Sequence, residues 1–293
     1  MPATPSYPMR VDRHARLYRD NLYVYPVLSR RARGLSVGIN LNPDKVCNFD
    51  CIYCQVDRTT PPVTREVDET RLADELRAAL CSARDGTLFQ RPEFTALPAE
   101  QRVLRDIAFA GDGEPPSYTN FLGVVRETIR IKREEGYASL PIHLLTNATL
   151  IDRPRVKEAM RLIDEDGGGH WLKLDAGTEA YYRLVERTTI PFARVLANLL
   201  EAARARPVVI QSLFMKVRGE APSAAEIEAW CGRLADMVAQ GGALALVQVY
   251  TVARPPAESY VAPLDDADVD AIAAAARRRL PGVPVESYYS GRF

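Results

Sequence analysis

The 293-residue sequence has no net charge, few cysteines and no long apolar run. Its 38 basic and 38 acidic residues cancel, whereas chains that bind nucleic acid usually carry a basic excess, so there is no strong sign of nucleic-acid binding. No apolar run approaches the length of a membrane span, and the N-terminus lacks the apolar core of a signal peptide. Five cysteines, an odd number, make a poor disulfide framework. We therefore expect no membrane partner and a reducing, cytoplasmic location.

The rest of the composition is that of a globular chain, except at the N-terminus. Apolar residues make up 47% and charged residues 26%, and the length suits one α/β barrel-like domain. Residues 1–34 instead hold seven arginines against two aspartates. Two interpretations of this basic arm stay open. In the first, the arm meets an anionic substrate. In the second, it is a solvated segment that wraps the more acidic remainder of the chain.

Strand-like and helix-like patterns alternate along the chain, which predicts an α/β fold built from parallel β/α units. The predicted strands are 36–41, 106–110, 142–145, 171–174, 208–214 and 244–252. The predicted helices are 70–83, 118–134, 153–163, 178–185, 192–204, 224–239 and 265–279. In parallel barrels the chemistry gathers at the C-terminal ends of the strands, and polar or glycine-rich positions of this chain follow its predicted strands.

Three of the five cysteines, Cys47, Cys51 and Cys54, lie within eight positions after the first predicted strand. Thiolates are soft ligands that suit iron–sulfur clusters, zinc or copper. A structural zinc site needs four protein ligands, and the three histidines are far away in sequence. In a cubane cluster, three cysteines leave one iron open to a cofactor or substrate. The alternatives are a zinc site with three cysteines and a histidine, in a non-catalytic binding module, or buried cysteines without a function.

The pattern C-x3-C-x2-C, with Tyr53 just before the third cysteine and an early strand in front, resembles the radical S-adenosylmethionine (radical SAM) superfamily. The resemblance implies a partial (β/α)6 TIM-like barrel over residues 35–280, with an N-terminal basic extension, 1–34, and a C-terminal tail, 281–293. It implies that Cys47, Cys51 and Cys54 bind a [4Fe-4S] cluster whose fourth iron holds S-adenosylmethionine, and that the backbone near Tyr53 contacts the adenine.

The same resemblance implies an oxidoreductase-like activity and an electron donor such as flavodoxin or ferredoxin. Reductive cleavage of the cofactor would give a 5′-deoxyadenosyl radical that abstracts hydrogen from a substrate, a small molecule or an RNA. Because the barrel is partial, its open side needs a cover. The basic arm and the tail at 288–293 are candidates for it.

The turn Gly111-Asp112-Gly113-Glu114-Pro115-Pro116 follows the second predicted strand. It is similar to the Gly-Gly-Glu motif of the superfamily, which holds the methionine amino group. The resemblance therefore makes Gly111, Gly113 and Glu114 candidate cofactor-binding residues. The turn departs from the motif at Asp112, where many members have glycine, but the backbone does much of this binding.

Further polar residues lie on or just after later strands, at positions where they either face a ligand or satisfy the local backbone. Both readings stay open. The resemblance places strand-end groups against the ribose and carboxylate of the cofactor. The candidate cofactor-binding residues are Thr146, Asn147, Asp175, Gln211 and Ser212. Gln248 and Tyr250 lie on the last predicted strand, and Lys173 is also interpreted as an ion-pair partner of Glu114 or Asp175.

Segments 25–31, 36–41, 172–175 and 247–255 resemble the branch of the superfamily that is grouped with the wyosine tRNA-modifying enzymes. Modification of a tRNA base is therefore a second functional hypothesis. Against it, no cysteine precedes Cys47 to hold the second cluster of the archaeal wyosine enzymes, and the chain is neutral overall.

Overall fold

The structure is a computed structural model that describes residues 20–29, 31–32, 34–95 and 97–290. Most of the predicted basic arm and the end of the predicted tail lie outside these residues. The chain divides into two compact units. The first consists of the described residues of Met1–Cys47, Thr60–Leu144 and Pro154–Gly169, and the second of those of Asn48–Thr59, Leu145–Arg153 and His170–Phe293.

The first unit contains strands that alternate with helices. In chain order its elements are β1 (Val24–Ser29), β2 (Gly34–Ile39), α1 (Glu69–Arg84), α2 (Pro92–Thr95), β3 (Leu104–Phe109), α3 (Phe121–Glu134), β4 (Ile142–Thr146) and α4 (Pro154–Glu165), with short 3-10 helices at Thr87–Gln90, Ala99–Gln101 and Pro115–Ser117. Strand β1 pairs antiparallel with β2. Strands β2, β3 and the start of β4 are parallel neighbours, in that order. Their C-terminal ends therefore lie on the same side of this part of the sheet.

The second unit continues the same alternation. Its elements are β5 (Gly169–Lys173), α5 (Glu179–Glu186), α6 (Phe192–Ala205), β6 (Val208–Val217), α7 (Ala224–Ala239), β7 (Leu244–Thr251), β8 (Val261–Pro263), α8 (Asp266–Arg279) and β9 (Val285–Tyr288). Strands β5, β6, β7 and β9 are parallel neighbours in that order, and β8 pairs antiparallel with the end of β6. The side chains at the ends of β5, β6 and β7 therefore gather on one side.

Helix starts in both units follow from polar caps. The side chains of Asp68, Thr178 and Ser223 each accept a hydrogen bond from a backbone N–H in the first turn of α1, α5 and α7. Such caps satisfy N–H groups that have no partner inside the helix. The acidic first turn and basic last turn of α8 match the helix dipole at both ends.

The α/β prediction is confirmed, and each of the predicted strands and helices is present with ends shifted by at most a few residues. Three strands were missed: β1, β8 and β9. Pro26 lies inside β1, and proline argues against a strand unless the strand is at an edge. Strands β8 and β9 have only three and four residues. Strands β1 and β9 lie in the segments that were interpreted as terminal extensions.

Within the described residues, the structure has no helix with the length and apolarity needed to cross a membrane.

Candidate functional site

The loop that carries Cys51 and Cys54 is attached to the C-terminal end of α5 in the second unit. The N–H groups of Asp50 and Ile52 donate to the carbonyl oxygens of Glu186 and Val185, at 3.1 and 2.9 Å. The last carbonyls of a helix have no partner inside the helix, so they are available to an incoming loop. The backbone of the loop, and not only its side chains, is therefore fixed around Cys51.

A second segment, between β7 and β8, holds the other end of the same loop. The N–H of Ala257 donates to the carbonyl oxygen of Cys54 at 2.8 Å, and Gln55 Nε2 donates to the carbonyl oxygen of Arg254 at 3.3 Å. Arg187 links the two attachments, because it donates to the carbonyl oxygen of Asp50 and pairs with Glu258 at 2.5 Å. Cys51 and Cys54 thus lie on backbone that is held from two sides.

The thiol of Cys51 and the phenol of Tyr53 meet the same buried carboxyl group. Cys51 Sγ donates to Glu186 Oε2 at 2.6 Å, and Tyr53 Oη lies 3.1 and 3.3 Å from the two oxygens of Glu186. Tyr53 also donates a short hydrogen bond to Asp175, whose other oxygen accepts the N–H of Leu213 at 2.7 Å. The structure therefore brings together three predicted site residues, Cys51, Tyr53 and Asp175.

Lys173 supplies the positive charge of this network. Its Nζ lies 3.0 Å from Asp175 Oδ2 and donates to Tyr250 Oη at 2.8 Å. The ammonium also lies 4.9 Å from the ring centroid of Tyr53, within cation–π range. Of the two partners predicted for Lys173, Asp175 is the one that the structure gives.

Burial controls the proton affinities of these groups. Burial and the neighbouring Glu186 carboxylate raise the pKa of the Cys51 thiol well above its usual value. Burial and the negative charge of Asp175 likewise raise the pKa of Glu186, and the same two causes raise the pKa of Tyr53. Although burial opposes it, the Asp175 carboxylate raises the pKa of Lys173. The network therefore favours a protonated Cys51, Tyr53 and Glu186 beside a charged Lys173.

The donor chemistry of the loop fits an iron–sulfur cluster. Cys47, Cys51 and Cys54 are half-buried and none forms a disulfide, so three soft donors remain within eight positions. Across the described ranges of the chain, no three His, Cys, Asp or Glu side chains already surround one metal position. To become a ligand, Cys51 must lose its proton and its hydrogen bond to Glu186, because the thiolate is the ligand form.

In the first unit, the predicted Gly111–Glu114 turn packs against the segment that leads to Cys47. A Cβ atom at Gly111 would lie 2.2 Å from Asn40 Oδ1, and one at Gly113 would lie 2.2 Å from the carbonyl oxygen of Val46. Neither position has room for a side chain, which gives both glycines a packing reason beside the predicted cofactor contact. Glu114 is 2% exposed, so its carboxyl group is buried at this turn.

Two asparagines that the sequence did not mark connect this turn to β2. Asn40 Oδ1 accepts the N–H groups of Asp112 and Asn42, and Asn40 Nδ2 donates to Asp112 Oδ2 at 2.7 Å. Asn42 Nδ2 donates to Ser117 Oγ at 2.9 Å. Asp112, the position that departs from the motif, is thus held by Asn40. A polar residue within three positions of the end of a buried strand was the signal available for both asparagines.

Thr146 and Asn147 shape the turn after β4. Thr146 Oγ1 accepts the N–H of Ala148, a residue with φ +63°, and Asn147 Oδ1 accepts both the N–H and the hydroxyl of Thr149. Asn147 Nδ2 and Thr149 Oγ1 also bond the side chain of Asn48, at 2.8 and 2.6 Å. These contacts attach the turn to the neighbour of Cys47. A contact of Thr146 or Asn147 with the cofactor stays a prediction.

Gln211 and Ser212 point to different surroundings. Gln211 Nε2 donates to Gln248 Oε1 at 2.8 Å. The Ser212 hydroxyl donates to the carbonyl oxygen of Leu174 and accepts from Trp230 Nε1, at 2.5 and 3.0 Å. These two bonds give Ser212 a structural role. Its predicted contact with the cofactor, like that of Gln211, stays a prediction.

Glu186 is the main residue of this site that the sequence analysis missed. It is 2% exposed and is the last residue of α5. A carboxylate at a helix C-terminus opposes the helix dipole, so its position was a usable signal. Of the two cysteines outside the loop, Cys231 is buried, whereas Cys81 is half-buried and donates to Glu135 at 2.9 Å.

The model of the radical SAM superfamily matches residues 41–227, well over half of the chain. The chain belongs to the radical SAM superfamily. A radical SAM methyltransferase from Sphaerobacter thermophilus shares its fold, with a TM-score of 0.62 at 16% identity, over 92% of this chain and 70% of that one. TYW1, a wyosine synthase, solved with a lysine-pyruvate adduct bound, has a TM-score of 0.52 at 12% identity, over 89% and 85%. The predicted partial-barrel radical SAM fold is confirmed.

The curated relatives match only part of their own length. A UPF0026 protein of Methanocaldococcus jannaschii is 29% identical over 162 residues, which are 55% of this chain and 43% of the relative. A protein named GTPase Obg from Brachyspira hyodysenteriae is 25% identical over 184 residues, 61% of this chain and 23% of the relative. This chain therefore matches less than half the length of either relative.

Proposed function

We propose that this radical SAM protein is an enzyme that binds a [4Fe-4S] cluster through Cys47, Cys51 and Cys54. When bound, the cluster supplies the electron that cleaves S-adenosylmethionine to methionine and a 5′-deoxyadenosyl radical, which abstracts hydrogen from an unidentified substrate. The observation that carries this proposal is the loop of three closely spaced thiols whose backbone is anchored to α5. An electron donor such as flavodoxin or ferredoxin, a cytoplasmic location and oxidoreductase chemistry belong to the same proposal.

Further residues of the chain have binding roles in this proposal. Glu114 holds the methionine amino group, and the glycine turn lets the backbone approach it. The backbone near Tyr53 contacts the adenine. Polar groups at the strand ends take the ribose and the carboxylate; these are Thr146, Asn147, Asp175 and Ser212.

The buried network keeps the loop in place. Tyr53 connects the loop to Asp175 on one side and to Glu186 on the other. Lys173 compensates the charge of Asp175, which is otherwise costly to bury. A low-dielectric, hydrogen-bonded surround of this kind strengthens the contacts that position a charged cofactor.

The test is anaerobic reconstitution with iron and sulfide. We expect a brown protein with about four irons per chain that forms 5′-deoxyadenosine from S-adenosylmethionine and dithionite. Cys51→Ala should lose both properties, and Cys81→Ala, a half-buried cysteine outside the loop, should keep both. A colourless protein with one tightly bound zinc would contradict the proposal and favour the zinc-stabilised binding module.

Modification of a tRNA base is a second candidate, supported by the resemblance of segments 25–31 and 247–255 to the wyosine branch. A tRNA complex whose affinity falls steeply with salt would favour it, because phosphate contacts release counterions. An affinity that does not change with salt, or no complex, would count against it.

A further inference from the structure

Four polar side chains lie in register across four neighbouring parallel strands of the second unit. Lys173 on β5 pairs with Gln211 on β6, Gln211 with Gln248 on β7, and Gln248 with Glu286 on β9. Side chains that are paired in register point to the same face of a sheet. These four residues, here named the polar row, therefore lie side by side on one face.

The middle of the polar row is an amide pair that cannot satisfy itself. Gln211 and Gln248 are each 2% exposed, and Gln211 Nε2 donates to Gln248 Oε1 at 2.8 Å. One bond between two amides leaves one carbonyl oxygen and one NH2 group, whichever way round each amide is assigned. Neither remaining group has a hydrogen-bond partner among the described residues. Because these two groups have no partner in the described part of the chain, they are available to a polar ligand.

The two ends of the polar row disfavour an anionic ligand. The charge of Lys173 is already balanced by Asp175, 3.0 Å away, and Nζ also donates to Tyr250. At the other end, Tyr288 donates a short hydrogen bond to the Glu286 carboxylate. No uncompensated positive charge is thus offered to a phosphate or a carboxylate. The remaining donor and acceptor of the amide pair suit a neutral molecule.

Aromatic rings accompany the row. Tyr250 and Tyr288 lie in register two positions beyond Gln248 and Glu286, on the same face of the sheet. Lys173 Nζ lies 5.2 Å from the Tyr250 ring centroid and 4.9 Å from that of Tyr53. The polar row therefore begins beside the cysteine loop and continues away from it along two tyrosines. Planar rings favour a flat ligand, because they offer apolar contact without loss of many rotamers.

We propose that Gln211 and Gln248 bind the substrate through a lactam-type group, a carbonyl oxygen and an N–H on adjacent atoms of one ring. The free amide oxygen accepts the N–H, and the free NH2 donates to the carbonyl. This inference rests on the proposed function, because the ligand is a substrate only if the protein is an enzyme, but binding at this site needs no cluster. The same chemistry occurs in nucleobases and in cyclic peptides.

The experiment measures binding of three probes to the full chain by titration calorimetry. Uridine carries one ring N–H between two carbonyls, 3-methyluridine has that N–H blocked, and cyclo(glycylglycine) presents the same group without a nucleobase. The protein variants are wild type, Gln248→Leu and the control Gln240→Leu, the same substitution at an exposed glutamine.

We expect uridine, cyclo(glycylglycine) or both to bind to wild type, and the pattern identifies the source of the lactam group. If uridine binds, 3-methyluridine should bind about tenfold more weakly, because it loses one hydrogen bond and leaves a buried oxygen unpaired. Gln248→Leu should lower the affinity for the lactam probe by about tenfold for the same reason. Gln240→Leu should bind the probe with the same affinity as wild type.

Equal affinity for uridine and its 3-methyl derivative, binding of neither lactam probe, or an unchanged affinity in Gln248→Leu would overturn the inference. So would an equal loss of S-adenosylmethionine affinity in Gln248→Leu, because the pair would then serve the cofactor. The two proposals fail separately. A protein that binds a lactam probe but never holds iron contradicts the proposed function alone, whereas a normal cluster without lactam binding contradicts this inference alone.

Discussion

Replacing Glu226 by glutamine should destabilise the second unit and loosen the cysteine loop. Glu226 lies in the first turn of α7 and is 5% exposed. Its carboxylate accepts the N–H of Gly177 at 2.5 Å, the hydroxyl of Thr178 at 2.6 Å and the N–H of Thr178 at 3.3 Å. One buried carboxylate thus satisfies three donors in the segment that leads into α5.

The loss of stability depends on which of these hydrogen bonds a glutamine side chain can still accept. Its one carbonyl oxygen can still accept from the two N–H groups, while its NH2 replaces the oxygen that accepts the Thr178 hydroxyl. Hydrogen bonds to a charged group contribute about 1.5–3 kcal/mol each, and neutral ones about 1 kcal/mol. A negative charge in the first turn of α7 adds about 0.3–1 kcal/mol through the helix dipole. We therefore expect Glu226→Gln to lower the free energy of unfolding by about 2–4 kcal/mol.

The effect should also reach the cysteine loop. Thr178 caps α5, and the other end of α5 accepts the N–H groups of Asp50 and Ile52. The Thr178 cap remains in the variant, but its hydroxyl loses the carboxylate that accepts from it, so the start of α5 is held less firmly. Hydrogen exchange at the amides of Asp50 and Ile52 should therefore become faster in the variant.

Urea unfolding followed by circular dichroism measures the free energy, and Glu228→Gln is the matched control. Glu228 lies on the same helix two residues later and is exposed, so its substitution should change stability by less than about 0.5 kcal/mol. The reasoning is refuted if both variants unfold at the same urea concentration, or if Glu226→Gln is destabilised while exchange in the loop is unchanged.

Three further predictions concern packing and charge. Gly177→Ala should cost about 1–3 kcal/mol of stability, because its Cβ would lie 2.0 Å from the backbone nitrogen of Trp230. Gly232→Ala, inside α7, should instead gain about 0.5–1 kcal/mol, because its Cβ would meet nothing within 4 Å apart from the backbone of its own helix. Urea unfolding of both variants compares them, and equal shifts would contradict the packing argument. Lys132→Met should cost about 3–5 kcal/mol of stability, because the fully buried Nζ pairs with Asp166 and donates to the carbonyl oxygens of Ala138 and Leu140. As a control, Lys157→Met, at an exposed lysine, should change stability little. A loss below about 1 kcal/mol for Lys132→Met in a thermal melt would count against the prediction. Burial raises the pKa of Asp106 against the opposing effects of the Ser36 hydroxyl, His143 and Arg31, so the folded state binds a proton more tightly than the unfolded chain. Wild-type stability should therefore fall as pH rises above about 4, whereas Asp106→Asn lacks this loss. In urea titrations the stability advantage of Asp106→Asn over wild type should be larger at pH 7 than at pH 4, and an equal difference at both pH values would contradict the argument.

Local pattern was enough to predict most of the elements. The predicted bounds of the helix over 224–239 agree with those of α7, because its apolar residues recur at helical spacing and Ser223 marks its start. Strand β1 shows where the pattern fails. Pro26 would break a central strand, but here it lies in an antiparallel strand that pairs only with β2 among the described strands. That pairing depends on which strands become neighbours, which no short window of sequence reveals.

The chemistry of the site was predictable only where it is local. Three cysteines within eight positions and a glycine-rich turn after a strand are visible directly. Glu186 is not, because it acts on Cys51 from 135 positions away. The glycines were expected to approach a cofactor, yet the structure shows Gly111 and Gly113 already in close contact with Asn40 and Val46. Local pattern identified the residue types, and only the fold identifies their neighbours.

The position of Cys51 depends on residues that have no metal chemistry of their own. Its loop donates hydrogen bonds to the last carbonyl oxygens of α5. The first turn of α5 is capped by Thr178, whose hydroxyl donates in turn to Glu226. A change at either end of this eight-residue helix is therefore transmitted along a rigid element rather than through a flexible loop. In the proposed function, the spacing of the cysteines sets which thiols can meet one cluster, whereas the hydrogen bonds to the last carbonyls of α5 set where the middle thiol lies. Variants at Glu226 should for this reason alter the site without touching a ligand.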